Sequence, residues 1–410
     1  MTTACPSATS EEGTAPPTAT ATGIALCGAL ALASAMGIGR FAFTPLMPLM
    51  LHEGTIDLAF ASGLASANYF GYLVGALLCM MAPRLWPSAA IVKVGLVATA
   101  VLTAGMALPS PAAWVFLRFA SGVASAVVMV FVSEWCLARL AQRGKPSLGA
   151  VIYTGPGIGI AVSGFAATGM LALHWSAATN WLMFGALAVL LGLVVWPILS
   201  DPAPIVGPAA GAVGVKPAKT GPLVEMLIFA LAYGLAGFGY IVTATFLPVI
   251  ARQALPGSAW LDLFWPILGL ATVAGCLLAM RVPKRIDPRL MLVGCYLMQA
   301  TGVVLALFIP TVVGFVVGSL LTGLPFTAIS FFSMQEVRRL RPHRAARYIG
   351  LLTALYGIGQ IAGPPFVTLV LAQSRDQAHG FATALGVASG ALILGAALYG
   401  FMRARWSARA

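Results

Sequence analysis

Residues 75–84 read GALLCMMAPR and residues 275–284 read GCLLAMRVPK. Gly75, Leu77, Leu78, Met80 and Pro83 recur as Gly275, Leu277, Leu278, Met280 and Pro283, and the base Arg84 recurs as Lys284. Both copies close an apolar stretch of about 20 residues, the length of one membrane-spanning helix. The offset of 200 also pairs Gly37, Gly39 and Pro48 with Gly237, Gly239 and Pro248, and Gly157-Ile158-Gly159 with Gly357-Ile358-Gly359. A register held across most of the chain marks an internal repeat, so the fold of one half is the fold of the other.

Working outward, apolar segments lie near 22–50, 58–82, 89–108, 112–138, 148–173 and 177–199. Six more lie near 223–250, 260–281, 289–309, 311–337, 347–372 and 380–402. Composition agrees with a membrane interior: 60% of residues are hydrophobic and 8% are charged, against roughly 25% charged in a soluble domain. The apolar runs lack two-residue alternation, which argues for helices over a β-barrel. The expectation is an all-α membrane protein with twelve transmembrane helices in two six-helix bundles, residues 22–199 and 223–402. A Gly/Pro/Ala linker at 200–222 joins them, with tails at 1–21 and 403–410. The first 21 residues carry Glu11 and Glu12 and lack a basic leader, so they read as a disordered tail and not as a signal or transit peptide.

The net charge of +12 is topological. Arg84, the Arg139–Lys145 loop, Lys216 and Lys219, the Arg281–Arg289 loop, the Arg338–Arg347 run and Arg403–Arg409 place 18 bases on one side. Arg252 and Arg375 stand alone on the other. The positive-inside rule then puts both termini and the linker in the cytoplasm, with the chain in the cell inner (cytoplasmic) membrane. Bases spread over separate loops form no face for nucleic acid. The six Cys are scattered, with no Cys/His cluster, and imply free thiols, no disulfide framework and no metal.

Three stretches carry a family resemblance. Arg118-Phe-Ala-Ser-Gly122-Val-Ala-Ser-Ala126 looks like the RxxxGxxxA motif of the major facilitator superfamily. Gly155-Pro156-Gly157-Ile158-Gly159 looks like the GPxxG core of its antiporter-associated motif. Gly37-Ile-Gly-Arg-Phe-Ala-Phe-Thr-Pro-Leu-Met-Pro-Leu-Met50 is similar to the opening of the YbfB/YjiJ-type bacterial branch. The resemblance implies the major facilitator fold, a central cavity lined by the first and fourth spans of each half, and proton coupling with export favoured over import. One departure stands out: the acidic, basic motif usual between spans two and three is reduced to Ala82-Pro-Arg-Leu-Trp86.

Arg40 and Arg118 lie deep in spans one and four with no acid at i±3 or i±4. An Arg at a helix centre costs about 2.5–3.5 kcal/mol on insertion scales, so each needs a reason to be there. The family arrangement puts both on one cavity wall, where two guanidiniums suit an anionic solute, a carboxylate in particular. A purely structural use is open for both. Arg40 could satisfy the Phe41 and Thr44 carbonyls freed by Pro45 and Pro48, and Arg118 could reach Glu53 or Asp57. The offset of 200 puts Tyr240 and Gly318 opposite the two Arg, so the second wall is neutral. Its candidates are Tyr233, Tyr240, Thr243, Phe326, Tyr356 and Gln360, with Asn68 and Tyr69 from the first half. Glu134 reads either as an ion-pair partner of an inner-loop Arg or as a gating, proton-carrying acid. Gly155, Pro156, Gly157 and Gly159 read either as close packing or as a hinge, and Lys93 reads as a snorkelling base.

A secondary active transporter follows, moving a small organic solute by rocking two halves about a midplane site. No GxxxxGK[ST], HExxH or GxSxG occurs, so neither ATP hydrolysis nor an intramembrane enzyme is indicated, and no cofactor is implied. The other reading is a transport-like membrane sensor, for which the short linker and tail leave little output surface. The expected partners are the small-molecule substrate, a proton and the lipid bilayer, with the chain acting as a monomer.

Overall fold

The computed structural model describes residues 19–81, 87–200, 222–258, 260–283, 285–341 and 345–406. The reduced motif at 82–86 and nearly all of the 1–21 tail and the 200–222 linker lie outside them. The first span is composite: α1 (Ala21–Leu32), a π-helical segment (Ala33–Ile38), and α2 (Phe43–His52). It is followed by α3 (Leu58–Met81), α4 (Ser88–Gly105), α5 (Pro111–Gln142), a 3₁₀ stretch (Pro146–Thr154) leading into α6 (Gly155–Ala172), and α7 (Ala177–Val195). The second half comprises α8 (Leu223–Ala254), α9 (Phe264–Ala279), α10 (Pro288–Phe308), α11 (Val312–Leu340), α12 (Ala345–Gln373) and α13 (Gln377–Trp406). Eleven helical runs among the described residues are long and apolar enough to cross a membrane. α3, with 24 residues and a length of about 36 Å, lies between two of them and completes twelve.

Helix starts follow local chemistry. Ser110, Ser176, Asp287 and Thr311 cap α5, α7, α10 and α11, each accepting a backbone N–H from the first turn. Asp376 does the same for α13, accepting the His379 N–H at 2.8 Å, and that bond holds its carboxyl below the usual range. Four helices outrun their apolar stretches by three or four residues: α5 to Gln142, α8 to Ala254, α11 to Leu340 and α13 to Trp406. Arg403 and Arg405 are therefore helical, where the sequence placed them in a tail. Bases in a last turn are favoured by the helix dipole, so the helix continues past the apolar boundary.

The repeat reappears as packing. In the first half the first span lies on α6, α3 on α5, and α4 on α5 and α7. In the second, α8 lies on α12, α9 on α11, and α10 on α11 and α13. Glycines set the closest crossings. A Cβ on Gly37 would stand 2.2 Å from the Cα of Gly159, and one on Gly359 would stand 2.4 Å from the Gly234 carbonyl. Backbone touches backbone at both crossings, which a larger residue would forbid. The halves meet where α3 packs on α12, α6 on α9, and α2 on α8.

At the end of the bundle that carries the termini, the second half is pinned by buried charge. Arg289 of α10 is 1% exposed and bonds Glu225 of α8 and Glu336 of α11, both at 2.5 Å, while its Nη1 donates to the Met402 carbonyl of α13 at 2.9 Å. Glu336, itself fully buried, also accepts from Arg339 at 2.8 Å. Sequence reading counts Arg289 among the loop bases and finds only Glu134 clearly inside a span. The structure corrects both, because the three side chains point into the bundle, where apolar surroundings favour pairing of buried charges with one another.

Candidate functional site

The composite first span is broken for a local reason. The N–H groups of Gly39 and Phe41 reach back five residues to Ser34 and Met36, and Thr44 N–H bonds Phe41 three residues back. The register thus passes from five-back to three-back bonds within a few residues, which leaves the Gly39 and Arg40 carbonyls without the four-back donors of a regular helix. Arg118 takes them. Its Nη1 donates to the Gly39 carbonyl at 3.1 Å and its Nη2 to the Arg40 carbonyl at 2.9 Å, with Ser121 adding a 2.6 Å bond to Gly39. The guanidinium stacks 4.9 Å from the Phe43 ring centre and is 2% exposed. Arg118, and not Arg40, is therefore the side chain that satisfies carbonyls in this turn, and they are those of Gly39 and Arg40 where the sequence pointed to Phe41 and Thr44. Arg118 does not reach the two rim acids either: Glu53 accepts from Ala177 N–H, and Asp57 caps α3 through Phe60.

Arg40 is released to point across the molecule. It is 3% exposed, and its Nη2 donates to Gln360 Oε1 of α12 at 2.7 Å. Gln360 Nε2 in turn donates to the Tyr240 hydroxyl of α8 at 2.8 Å. The guanidinium carbon lies 4.2 Å from the ring centre of Tyr72 and 5.2 Å from those of Tyr69 and Phe41. Among the described residues, no carboxylate is within ion-pair distance of Arg40 or Arg118.

Aromatic rings carry this centre into the second half. Tyr233 packs on Tyr356 at 4.8 Å, Tyr356 on Tyr240 at 5.9 Å, and Tyr240 on Phe326 at 4.6 Å. Phe326 meets Phe41 edge-on at 6.3 Å, and Phe41 reaches Trp265 at the same distance. The structure thus gathers Arg40, Tyr69, Tyr240, Phe326, Tyr356 and Gln360 in one place. Tyr233 joins at the far end of the ladder, its hydroxyl 2.9 Å from Ser330. Asn68 instead ties α3 to α5 by donating to the Arg118 carbonyl at 2.9 Å. Tyr72, Trp265 and Thr245 were not foreseen. The Tyr69-Phe70-Gly71-Tyr72 spacing offered the first, since a residue three positions from Tyr69 shares its helix face. Nothing in sequence linked Trp265 or Thr245 to Arg40.

The gating candidates separate. Pro156 sits in the first turn of α6, so Gly155-Pro156-Gly157 joins the 3₁₀ stretch to α6 and does not bend a continuous helix. Cβ atoms on Gly155 and Gly159 would meet the Ala29 and Ala33 carbonyls of the first span, at 2.3 and 2.4 Å. Gly157 faces the other half, where a Cβ would stand 2.8 Å from the Gly269 carbonyl and 2.9 Å from the Val273 nitrogen. A Gly157→Leu wedge should force α6 from α9, so a cysteine at Thr245 should label faster with a membrane-impermeant maleimide. Unchanged labelling would reduce the contact to packing. Glu134 is half-buried and lies sixteen residues from Arg118 along α5, about 24 Å, so it is remote from the centre. Lys93 rests 4.8 Å from the Trp196 ring centre, and Arg139 lies 4.8 Å from that of Trp135.

Side-chain bonds between the halves concentrate away from the termini. Thr368 donates to Ser62 at 2.7 Å, Tyr69 and Thr245 hydroxyls are 3.0 Å apart, Ser66 donates to the Ile361 carbonyl, and Thr168 to that of Asp262. Residues 241–250 are all buried. That end is sealed over Arg40, whereas Tyr72, Tyr153 and residues 353–356 toward the termini are half-buried.

Over residues 32–399 the sequence matches the family described as "Uncharacterised MFS-type transporter YbfB". The chain belongs to this family of major facilitator superfamily transporters. The transporter has the superfamily's shape as well. It is similar to a variant of the nucleoside transporter NupG, with a TM-score of 0.74 at 16% identity, covering 92% of this chain and 99% of that one. It is similar to a bacterial homologue of the human lysosomal transporter Spinster in an inward-facing, unoccupied conformation, with a TM-score of 0.70 at 12% identity and coverage of 96% and 98%. The human organic anion transporter MFSD10 matches with a TM-score of 0.62 at 16% identity and coverage of 94% and 100%. No curated protein matches the transporter's sequence. At these identities the shared shape speaks for the fold alone.

Proposed function

We propose that the transporter carries an organic anion with a flat, apolar body, bound between Arg40 and the Tyr240, Tyr356 and Phe326 rings, and moved by rocking the two halves. The observation that supports this reading is the state of Arg40. It is a buried guanidinium whose hydrogen-bond partner is a neutral amide, with aromatic faces around it and no carboxylate at hand. A carboxylate or sulfonate would give it a charge-assisted bond, and the rings would stack on the body. Gln360 holds the place of such an acceptor. Arg118 positions Arg40 by bonding the turn that carries it.

The protein works as a monomer in the cytoplasmic membrane with both termini inside, so the sealed end faces out and the half-buried side faces the cytoplasm. Reporter fusions at Pro217 and Ala410 should read cytoplasmic, and one inserted within Gln373–Gln377 external. An external signal at Pro217 would invert the scheme.

Binding is tested by thermal shift of the purified protein with benzoate, phthalate and benzenesulfonate against benzamide and benzyltrimethylammonium. A ligand at 100 times its Kd adds about 2.7 kcal/mol of apparent stability, a readily measured shift. Stabilisation by the anions alone is the expected result. Stabilisation by the neutral amide or the cation alone would overturn the reading. Proton coupling and export, suggested by resemblance, are not carried into it, because the groups around Arg40 offer no proton carrier.

A further inference from the structure

The chain has eleven carboxylates and four histidines. Glu11, Glu12 and Asp201 belong to the tail and linker. Glu53, Asp57, Asp262 and Asp376 lie at the end opposite the termini. Glu225, Asp287 and Glu336 lie at the terminal end around Arg289, and Glu134 stands about 24 Å along α5 from Arg118. Among the described residues, His52, His174 and His379 fall at or beyond helix ends.

The titratable and charged groups that do face Arg40 are Tyr69 and Tyr72 from α3, Tyr240 from α8, Tyr356 from α12 and Arg118 from α5. These are phenols and a guanidinium; no carboxylate or imidazole stands among them. The centre brings together two guanidiniums and, among the described residues, no carboxylate or imidazole.

We infer that the coupling charge is the solute's own: the transporter is an exchanger of organic anions, in which the bound anion, and no proton, permits the halves to reorient. This rests on the organic-anion reading above. The charge of Arg40 meets neutral groups, the Gln360 amide bonded across the seam between first and second halves and the Tyr72, Tyr69 and Phe41 side chains on its own side. Reorientation breaks that bond and carries an unneutralised charge through a low-dielectric closed state, where its electrostatic cost is greatest. An anion on Arg40 neutralises the charge and replaces the Gln360 contact, so the loaded form crosses easily. The empty form returns slowly. Each anion moved one way is then followed by an anion moved back, and direction is set by the two anion gradients.

The test uses the full-length protein in liposomes, with the membrane potential clamped by potassium and valinomycin. The probe is labelled phthalate, or benzenesulfonate if the thermal-shift panel ranks it higher; both stay ionised at pH 6–8. Uptake into vesicles preloaded with the unlabelled anion should exceed uptake into vesicles lacking it by about tenfold or more, equivalent to about 1.4 kcal/mol in the return barrier. Imposing a pH gradient of either sign should leave both rates unchanged. In Arg40→Gln the ratio of loaded to unloaded uptake should fall toward one. In Arg40→Lys, which keeps the charge, the preloading requirement should persist at weaker affinity.

A pH gradient that drives uptake into unloaded vesicles at the exchange rate would overturn the inference, as would a preloading ratio that survives in Arg40→Gln. If no anion of the panel stabilises the protein, the organic-anion reading fails first and this inference falls with it, a result distinguishable from anion binding without exchange.

Discussion

Arg40→Gln should weaken binding of a stabilising organic anion about 10- to 150-fold, because a charge-assisted hydrogen bond is worth roughly 1.5–3 kcal/mol. The substitution keeps an amide that can still meet Gln360, so membrane levels and the melting temperature of the unliganded protein should barely change. Arg40→Lys should rescue poorly, since an ammonium cannot present the planar fork that a carboxylate accepts. Arg118→Gln should behave differently. It strips bonds from the Gly39 and Arg40 carbonyls, so it should lower the melting temperature as well as affinity. Titrating ligand-induced thermal shifts separates the cases. Arg40→Gln binding as tightly as the parent would remove Arg40 from the site, and an unshifted melting temperature in Arg118→Gln would remove the positioning argument.

Arg289→Met should be the most destabilising single change in the second half. It leaves Glu225 without its Arg289 partner and Glu336 dependent on Arg339, both in a buried setting. Removing one member of a buried ion pair costs about 3–5 kcal/mol, since the charge it compensated is not rehydrated in the interior. Low expression and a depressed melting temperature in detergent are expected. Adding Glu225→Gln to Arg289→Met should recover part of the loss by removing a buried charge that has lost its Arg289 bond. A double variant less stable than the single would mean that Glu225 is satisfied by something other than Arg289.

The membrane class, the twelve spans and the twofold repeat were legible in the sequence, because each is written in local or periodic terms. Span length follows from bilayer thickness, and the repeat from Gly37, Gly75 and Gly157 recurring at one offset. That Arg40 and Arg118 each need a partner was legible too, since an Arg deep in an apolar span demands one wherever it goes. Which partner each takes was not, because that depends on two things that sequence does not encode directly. One is the broken backbone at residues 33–42, whose spare carbonyls claim Arg118 and leave Arg40 free to cross to Gln360, 320 positions away. The other is side-chain direction at helix ends. Arg289 and Glu336 stand among loop bases in the linear chain, yet four helices turn them inward to form one buried cluster with Glu225. Hydropathy counts how many charges a span carries, and only the packed bundle decides which of them face one another.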